Sequence, residues 1–337
     1  MTQTTPAPVE FESPEALAAA AQRYRRELLA HCYRMTGCLH EAEDLVQETY
    51  LRAWRAAETF QGRSSMRTWL YRIATNACLT ALDGRKRRPL PSGLGGPASD
   101  PANELSTQDL SWLEPIPDAL VGLGQGTALD AEDPADRAVH RSTVRLALIA
   151  ALQHLTPQQR AVLVLRDVLA WRAAEVATVL DTSVAAVNSL LQRARAQLAS
   201  VSPREEEASE PESPQLRELL DTYVSAFERY DVPAIVDLLH ADAVWEMPPF
   251  DSWFQGAENI GGLISRHCPA SGPGDQRLLP TTANGQPAFG LYMRGEDGVH
   301  RAFHLQVLDV DDAGKVRHVV AFFDTSLFAR FGLPEVL

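Results

Sequence analysis

Two segments near the N-terminus decide the first part of the fold: Asp44-Leu45-Val46-Gln47-Glu48 and Trp69-Leu70-Tyr71-Arg72-Ile73-Ala74-Thr75-Asn76. Around the first segment, apolar residues recur at helical spacing between residues 41 and 57, which predicts one buried helix face. These apolar residues are Ala42, Leu45, Val46, Tyr50, Ala53 and Trp54. The opposite face is mostly polar, and we call it the polar stripe. Its members are Asp44, Gln47, Glu48, Leu51, Arg52 and Arg55.

The second segment predicts a helix from about residue 66 to residue 88, after a Gly-containing break at residues 60–65. Its expected inward residues are Leu70, Ile73, Ala74, Ala77 and Leu82. Its expected outward residues, together with one from the break, are Arg63, Arg67, Trp69, Tyr71, Arg72 and Asn76. Aromatic rings interleaved with arginines favour single-stranded nucleic acid, since bases stack and phosphates carry charge. For Trp69 alone, a place in the core is an equal alternative.

Four consecutive cations, Arg85-Lys86-Arg87-Arg88, end the predicted helix. A helix C-terminus favours positive charge, but four cations exceed what the helix dipole requires. We therefore interpret this cluster as a phosphate contact.

Together these segments resemble conserved region 2 of the extracytoplasmic-function sigma factors, the small sigma-70-type promoter-recognition subunits of bacterial RNA polymerase. The resemblance implies that Asp44, Gln47 and Glu48 contact the clamp coiled coil of the largest polymerase subunit. It also implies that the second helix and its preceding loop capture and melt promoter DNA. The promoter contacts so implied are Phe60, Arg63, Trp69, Arg72 and Asn76, to which we add Arg67 and the cluster at residues 85–88.

A net charge of −13 is unfavourable for DNA binding, yet the charges are unevenly distributed. Residues 1–88 carry a net charge of +3 and residues 141–200 carry +4. Residues 89–140 and 214–337 each carry −8. Both segments with excess positive charge are those that we assign to DNA.

The 337 residues suffice for two or three domains. No apolar run approaches the roughly 20 residues that span a bilayer, so we expect a cytoplasmic protein without membrane contact. His31, Cys32, Cys38 and His40 lie close in sequence, but they lack a Cys-x-x-Cys pair. Buried, reduced cysteines are favoured over a metal site, and we predict neither a metal nor a cofactor.

Residues 89–140 are rich in proline, glycine and acid, which predicts a linker without a core. Within it, Trp112-Leu113-Glu114-Pro115-Ile116-Pro117-Asp118 is unusually apolar. This string resembles one in the linkers of an actinobacterial, G-like group of sigma factors, where linkers occupy polymerase channels. A solvated tether with one hydrophobic clip on its own domain is the alternative.

Residues 141–200 predict four helices, of which the last two form a helix-turn-helix around Asp181-Thr182. The inward residues of the last helix are Val187, Leu191, Ala194 and Leu198. The residues expected to face DNA are Ala185, Ala186, Asn188, Ser189, Gln192, Arg193 and Arg195. In this position the module resembles sigma region 4, which reads the upstream promoter element, and the resemblance implies contact with the polymerase flap.

After an acidic linker at residues 201–213, residues 214–337 predict helices followed by a curved antiparallel sheet with hairpin turns. This α+β pattern resembles the SnoaL-like cone fold. Candidate pocket residues are Trp245, Trp253, Tyr292, His304 and Asp324. An empty or regulatory pocket is favoured over catalysis, because no motif positions an acid–base pair.

The sequence thus predicts a multidomain protein: sigma region 2 at 10–88, a linker at 89–140, sigma region 4 at 141–200, a linker at 201–213 and a SnoaL-like domain at 214–337. Both sigma domains are expected to be all-α. The predicted function is an alternative sigma factor, of the G-like or J-like type, without catalytic residues. Expected partners are core RNA polymerase and promoter DNA, with an anti-sigma factor or small molecule as further candidates. The alternatives are a DNA-binding regulator without polymerase docking, or a SnoaL-like enzyme fused to a DNA-binding module.

Overall fold

The computed structural model describes residues 22–57, 64–123, 141–201 and 213–337, and the chain divides into two compact units. The first unit comprises residues 1–87 and 119–202. The second unit comprises residues 88–118 and 203–337. Part of the predicted first linker is therefore a component of the second unit.

Helices build the described part of the first unit. They are α1 Arg25–Thr36, α2 Leu39–Arg55, α3 Met66–Leu82, α4 Leu146–Leu152, α5 Pro157–Leu163, α6 Ala173–Val179 and α7 Val184–Val201. Gly37 ends α1 with a left-handed φ of 67° that glycine adopts without strain. Residues 60–63 of the predicted break lie outside the described residues.

Helix α3 begins where the sequence predicts and ends earlier. The side chain of Ser65 caps it by accepting a hydrogen bond from the N–H of Thr68 at 3.1 Å. The helix stops at Leu82, because Asp83 is extended and Gly84 has a φ of 67°. The expectation that it continues to Arg88 was wrong, and the cation cluster follows the helix instead of ending it.

The helix-turn-helix is confirmed in α6 and α7, with Asp181 between them at a φ of 49°. Helix α5 starts with a capping box in which the side chains of Thr156 and Gln159 each bind the other's backbone N–H. It continues into a wider helical turn at Val164–Val168.

The second unit contains four helices and six strands among its described residues. The helices are α8 Pro214–Glu228, α9 Val232–Leu238, α10 Ala257–His267 and α11 Leu327–Arg330. The strands are β1 Leu239–Glu246, β2 Trp253–Gln255, β3 Gln276–Ala283, β4 Gln286–Arg294, β5 His300–Val310 and β6 Val316–Phe322. Strand β2 escaped prediction because three residues are too few to show alternation.

The sheet has the order β2-β1-β6-β5-β4-β3. All neighbouring strands are antiparallel except β1 and β6, which are parallel, so the prediction of a fully antiparallel sheet was wrong. The hairpin turns fix the direction of β4 relative to β3, β5 relative to β4 and β6 relative to β5. No hairpin joins β1 to β6, and local sequence therefore could not set their relative direction.

Side chains alternate across β4, and this alternation decides which residues reach the main core. Phe289 and Leu291 belong to the hydrophobic core cluster under the helices. Gly290 lies on the opposite face, where an added Cβ would come within 2.9 Å of the Phe328 ring. Glycine at this position allows the C-terminal segment to pack directly on the sheet.

Among the described residues, no single helix combines the length and hydropathy of a membrane span. One pair bent by 100°, Ala173–Val179 with Val184–Ser200, meets those criteria only when its two helices are taken together.

Candidate nucleic-acid interface and linker contacts

The polar stripe is accessible on α2. Asp44 and Gln47 are exposed and Glu48 is half-buried. Arg52, one turn further on, donates from Nε to Oε1 of Glu48 at 2.7 Å. Such an exposed pair contributes only a few tenths of a kcal/mol, about 0.3–0.5. The three predicted polymerase contacts thus lie on one face of a regular helix.

Trp54 extends this stripe, although the sequence pattern placed it in the core. Its side chain is 58% exposed, and that of Leu51 is 46% exposed. Trp54 follows Gln47 by seven residues and Leu51 by three, so the three share a helix face. Large exposed apolar side chains beside polar ones are typical of protein interfaces. The spacing was the available signal, but the apolar character of tryptophan led to the wrong assignment.

On α3, the predicted promoter contacts differ in accessibility. Arg72 and Asn76 are exposed, whereas Trp69 is half-buried. Tyr71 was expected to face outward, yet it is fully buried, and burial raises the pKa of its hydroxyl well above the usual value. Phe60 and Arg63 lie outside the described residues.

Arg67 is held against other side chains. Its Nε donates to Oε2 of Glu27 at 2.7 Å. Its guanidinium carbon lies 5.1 Å from the ring centroid of Tyr71 and 6.0 Å from that of Trp171. The first unit contains two helical modules, one formed by α1–α3 and the other by α4–α7. Trp171 lies just before α6, so Arg67, a predicted DNA contact of the first module, packs against the second module.

The four cations at residues 85–88 differ in their partners. Arg85 pairs with Glu41. Nη1 of Arg87 donates to Nδ1 of His154 at 2.9 Å, and burial together with the Arg87 charge lowers the pKa of His154. Within the second unit, Nη1 of Arg88 donates to the carbonyl oxygen of Trp112 at 3.1 Å. Lys86 is exposed.

Helix α7 presents most of its predicted DNA-facing side chains to solvent. The inward residues Val187, Leu191 and Ala194 are buried as predicted, whereas Leu198 is half-buried. Arg195 donates from Nε and Nη2 to both carboxylate oxygens of Asp167, at 2.9 and 2.7 Å. The exposed predicted residues are Ala185, Asn188, Ser189, Gln192, Arg193 and Arg195, and Ala186 is half-buried.

A buried arginine joins the two helical modules of the first unit. Arg34, at the end of α1, is 1% exposed. Its Nε donates to the carbonyl oxygen of Thr143 at 3.1 Å, and its Nη2 donates to Oγ1 of the same residue at 2.7 Å. Burial lowers the pKa of Arg34 to about 10. A charged group held in this way loses several hydrogen bonds if the modules separate.

Arg160 makes a second connection between these modules. It donates to the carbonyl oxygen of Met35, at the end of α1, and to that of Leu155 at 3.2 Å. It also donates to Oε1 of Gln153 at 2.8 Å. Burial lowers the pKa of Arg160 to about 10 as well. Two buried guanidinium groups therefore tie α1 to residues 143–160.

In the second unit, residues 88–118, called the linker segment here, are bound to the C-terminal domain. The N–H of Ser92 donates to Oε2 of Glu246 at 2.7 Å. Nε1 of Trp253 donates to the carbonyl oxygen of Gly95 at 2.9 Å. The N–H of Ala98 in turn donates to the carbonyl oxygen of Trp253 at 2.8 Å.

The middle of the linker segment pairs with the loop before β2. The N–H of Gln108 donates to the carbonyl oxygen of Pro249 at 3.2 Å, and the N–H of Asp251 donates to that of Ser106 at 3.1 Å. The side chains of Ser106 and Gln108 donate to the two carboxylate oxygens of Asp251, at 2.8 and 2.9 Å. Leu105 packs against the hydrophobic core of the domain.

The apolar string of the linker segment ends on the β3–β4 turn. Ile116 donates its N–H to Oδ1 of Asn284 and accepts from the N–H of Asn284, both at 3.0 Å. Oδ1 of Asp118 accepts from the N–H of Gly285 at 2.7 Å. Leu113 and Ile116 are fully buried. The predicted linker without a core, and its alternative as a solvated tether, therefore do not describe this segment, whose apolar side chains pack within the second unit. Residues 124–140 lie outside the described residues.

The five candidate pocket residues do not converge. Trp245 belongs to the core cluster, and its ring stacks 6.4 Å from that of Phe227. Tyr292 is on the opposite face of the sheet, where its hydroxyl donates to the carbonyl oxygen of Pro334 at 2.8 Å. Trp253 binds the linker segment. Asp324 is exposed and accepts from Oγ of Ser326 at 2.6 Å.

His304 alone of the five joins a polar network inside the domain. Tyr223 donates its hydroxyl to Oε1 of Gln306 at 2.9 Å, and Nε2 of Gln306 donates to Nε2 of His304 at 3.1 Å. Burial lowers the pKa of His304 to about 3, so its ring is neutral near pH 7. The network links α8 to β5, and a histidine held neutral in this way is unsuited to donating a proton near pH 7.

Three family models match the chain: Sigma-70 region 2 over residues 20–88, Sigma-70 region 4 over residues 145–198 and a SnoaL-like domain over residues 220–324. The ECF RNA polymerase sigma factor SigG of Mycobacterium tuberculosis is 58% identical over 325 residues, covering 95% of this chain and 84% of that protein. SigJ of the same organism is 30% identical over 285 residues, covering 82% and 80%. The crystal structure of the Mycobacterium tuberculosis extracytoplasmic function sigma factor SigJ has a TM-score of 0.58 at 26% identity and covers 94% of this chain and 100% of that one.

Proposed function

Because the chain belongs to the extracytoplasmic-function RNA polymerase sigma factors, we propose which of its surfaces perform the work of that family. The protein binds core RNA polymerase and directs it to specific promoters to initiate transcription, and its C-terminal domain modulates this activity. Residues 10–88 and 141–200 are the two sigma domains. Residues 214–337, with the linker segment docked on them, form the regulatory domain.

The polymerase-binding surface is the polar stripe together with Trp54. The observation that carries this proposal is that Asp44, Gln47 and Trp54 are exposed on one face of α2. A rim of polar and acidic groups gives orientation, and an aromatic side chain gives buried apolar area once the partner docks. The partner surface that matches is a helical, positively charged one, which agrees with the clamp coiled coil that the family resemblance implies.

The promoter-binding surfaces are the exposed side of α3 and the exposed side of α7. Arg72 and Asn76 contact the melted element, and α7 enters the major groove of the upstream element. Arg67 and Tyr71 lie against Trp171, so the two helical modules cover part of the DNA-binding side in this arrangement. Binding to two separate promoter elements therefore requires that the modules move apart.

The linker segment supplies the regulation. A sigma linker that occupies polymerase channels cannot at the same time be hydrogen-bonded to Glu246, Trp253 and Asn284. The C-terminal domain thus restrains the linker until polymerase or another ligand competes for it. The domain performs no covalent chemistry in this proposal, and the protein works in the cytoplasm, beside core polymerase.

Reconstituted transcription with core RNA polymerase tests the proposed polymerase surface. The double variant Asp44→Arg/Glu48→Arg reverses the charge of the polar stripe and should abolish co-purification with core polymerase and promoter-dependent transcripts. Its matched control, Glu258→Arg/Asp312→Arg, makes the same charge change at exposed sites in the C-terminal domain and should leave binding intact. Unchanged co-purification of the stripe variant with core polymerase contradicts the assignment.

A further inference from the structure

Glu246 is a buried carboxylate that two different parts of the second unit share. It ends β1, and its residue is 1% exposed. Its Oε1 lies 2.7 Å from Nε2 of His318 on β6. Its Oε2 accepts the N–H of Ser92 from the linker segment, also at 2.7 Å. Both carboxylate oxygens are therefore occupied only while the linker segment is docked.

The linker segment presents Ser92 from a tight turn that leaves this N–H available. In the helical turn Pro91–Gly93, the N–H of Gly93 binds the carbonyl oxygen of Leu90 and the N–H of Leu94 binds that of Pro91. These two bonds use the N–H groups of Gly93 and Leu94. The N–H of Ser92 has no acceptor within the turn, and Glu246 accepts it, as acidic side chains do for the first N–H groups of a helix. Leu90 and Pro91 are buried beside it.

The other contacts near the start of the linker segment, at residues 95–108, are neutral or more exposed. Backbone pairs such as Ala98 with Trp253 are neutral hydrogen bonds, each with a small net contribution to stability. Ser106 and Gln108 are exposed where they meet Asp251. A hydrogen bond to a buried charge contributes more, and its loss leaves that charge without a donor. Release of the start of the linker segment is thus coupled most strongly to Glu246, while Asp118 makes the comparable buried contact at the end of the segment.

His318 offsets the negative charge of the Glu246 carboxylate. Burial lowers the pKa of His318, but the hydrogen bond to Glu246 and the charges of Glu246 and Asp309 raise it by more, against the opposing charge of Arg317, so the net shift is upward. Protonation of this imidazole, which the upward shift of its pKa favours, compensates the charge of Glu246 on the side opposite the N–H of Ser92.

We propose that Glu246 is the latch of the linker, a carboxylate supported by His318 that holds residues 90–93 through the N–H of Ser92 and releases them when the carboxylate or its charge is lost. This inference rests on the proposed function of the linker segment and names the contact that controls it. Replacement of the carboxylate therefore frees the start of the linker segment while the sheet stays folded.

Hydrogen exchange of the full-length protein, resolved at the amides of residues 90–94, tests the latch directly. Glu246→Gln keeps the side-chain volume and removes the charge, and exchange at the Ser92 amide should become at least about tenfold faster. Glu246→Met removes the acceptor altogether and should have a larger effect, while His318→Gln should have an intermediate one. If Glu246→Met fails to fold, Glu246→Gln decides, with amides of β5 and β6 reporting that the domain is intact.

Two controls and one second readout make the outcomes distinct. Ser92→Ala keeps the N–H and should leave exchange unchanged, as should Glu258→Gln at an exposed acid on α10. Unchanged exchange at Ser92 in both Glu246 variants overturns the latch. Faster exchange with altered promoter-dependent transcription supports both the latch and the regulatory linker. Faster exchange with unaltered transcription supports the latch and overturns the proposed function of the linker segment.

Discussion

The rings of Tyr71 and Trp171 lie 5.2 Å apart at an angle of 59°, and they join the helix that carries the proposed promoter contacts to the helix-turn-helix module. Tyr71 comes from α3, and Trp171 immediately precedes the start of α6. Both side chains are buried. The contact covers an aromatic ring that the sequence pattern placed on the outward face of its helix.

Arg34→Met should loosen the packing between the two helical modules. The substitution removes both hydrogen bonds to Thr143 but leaves an apolar side chain of similar length in the buried site. Buried ionic groups can be replaced by apolar ones at little cost in stability, so the melting temperature should change little. The separation of fluorophores on α2 and α7 should increase, and binding to promoter DNA without polymerase should rise.

Thr143→Val provides the partner for a double-mutant cycle with Arg34→Met. The hydroxyl bond at 2.7 Å involves a charged donor, so the coupling free energy should be about 1.5–3 kcal/mol. A coupling near zero would show that the hydrogen bond is not maintained in solution.

Trp54→Ala should weaken the affinity for core polymerase with almost no loss of stability. The side chain is 58% exposed, and exposed substitutions usually change the free energy of unfolding by less than about 0.5 kcal/mol. Leu45→Ala, on the buried face of the same helix, should instead cost about 2–5 kcal/mol. Fluorescence anisotropy measures the affinity of each variant for core polymerase, and thermal unfolding measures its stability. Equal destabilisation by the two substitutions would show that Trp54 is part of the core.

Asn76→Ala should impair promoter opening more than initial binding to the duplex. Asn76 is exposed on α3, one turn beyond Arg72. In the proposed function it contacts a base only after that base has left the duplex. Permanganate reactivity of unpaired thymines measures opening, and a gel shift measures binding. Asn103→Ala, an exposed asparagine of the linker segment, is the control, and a parallel loss of both signals in Asn76→Ala would argue against a role in melting.

Truncation after residue 201 should change promoter-dependent transcription without abolishing the binding of core polymerase. It removes every partner that the C-terminal domain offers to the linker segment, including Trp253 and Asn284. The freed segment can then enter polymerase without first breaking these contacts with the C-terminal domain. Identical transcription by the truncated and full-length proteins across promoters and salt concentrations would show that the C-terminal domain does not regulate transcription.

Acid should destabilise the second unit through His304. Its native pKa of about 3 lies below the unfolded value of 6.5, so the unfolded chain binds more protons between these values. The stability from keeping this ring neutral is full above pH 6.5 and is lost as pH falls towards 3. The loss is up to about 1.4 kcal/mol for each pH unit. Chemical unfolding at several pH values should give a shallower slope for His304→Phe, and equal slopes would show that His304 remains accessible to protons.

The sequence by itself determined the local elements and the family. Helical spacing, Ser65, Gly37 and the residues around Asp181 set helix starts and stops, because capping and left-handed backbone are properties of neighbouring residues. Alternation and the Asn284-Gly285 turn set the hairpins for the same reason. The order of the sequence motifs along the chain was specific enough to identify sigma regions 2 and 4 and a SnoaL-like domain.

Side-chain roles that depend on partners remote in sequence followed only from the tertiary structure. The apolar side chain of Trp54 suggested a buried position, and the helical spacing of Tyr71 suggested an exposed one. Their actual burial depends on which helices pack beside them. The proline- and glycine-rich linker segment has no internal pattern that could reveal a partner more than 140 residues away, such as Glu246 for Ser92. Packing and shared hydrogen bonds exist only once distant segments meet, and they decide what each exposed or buried group is free to bind.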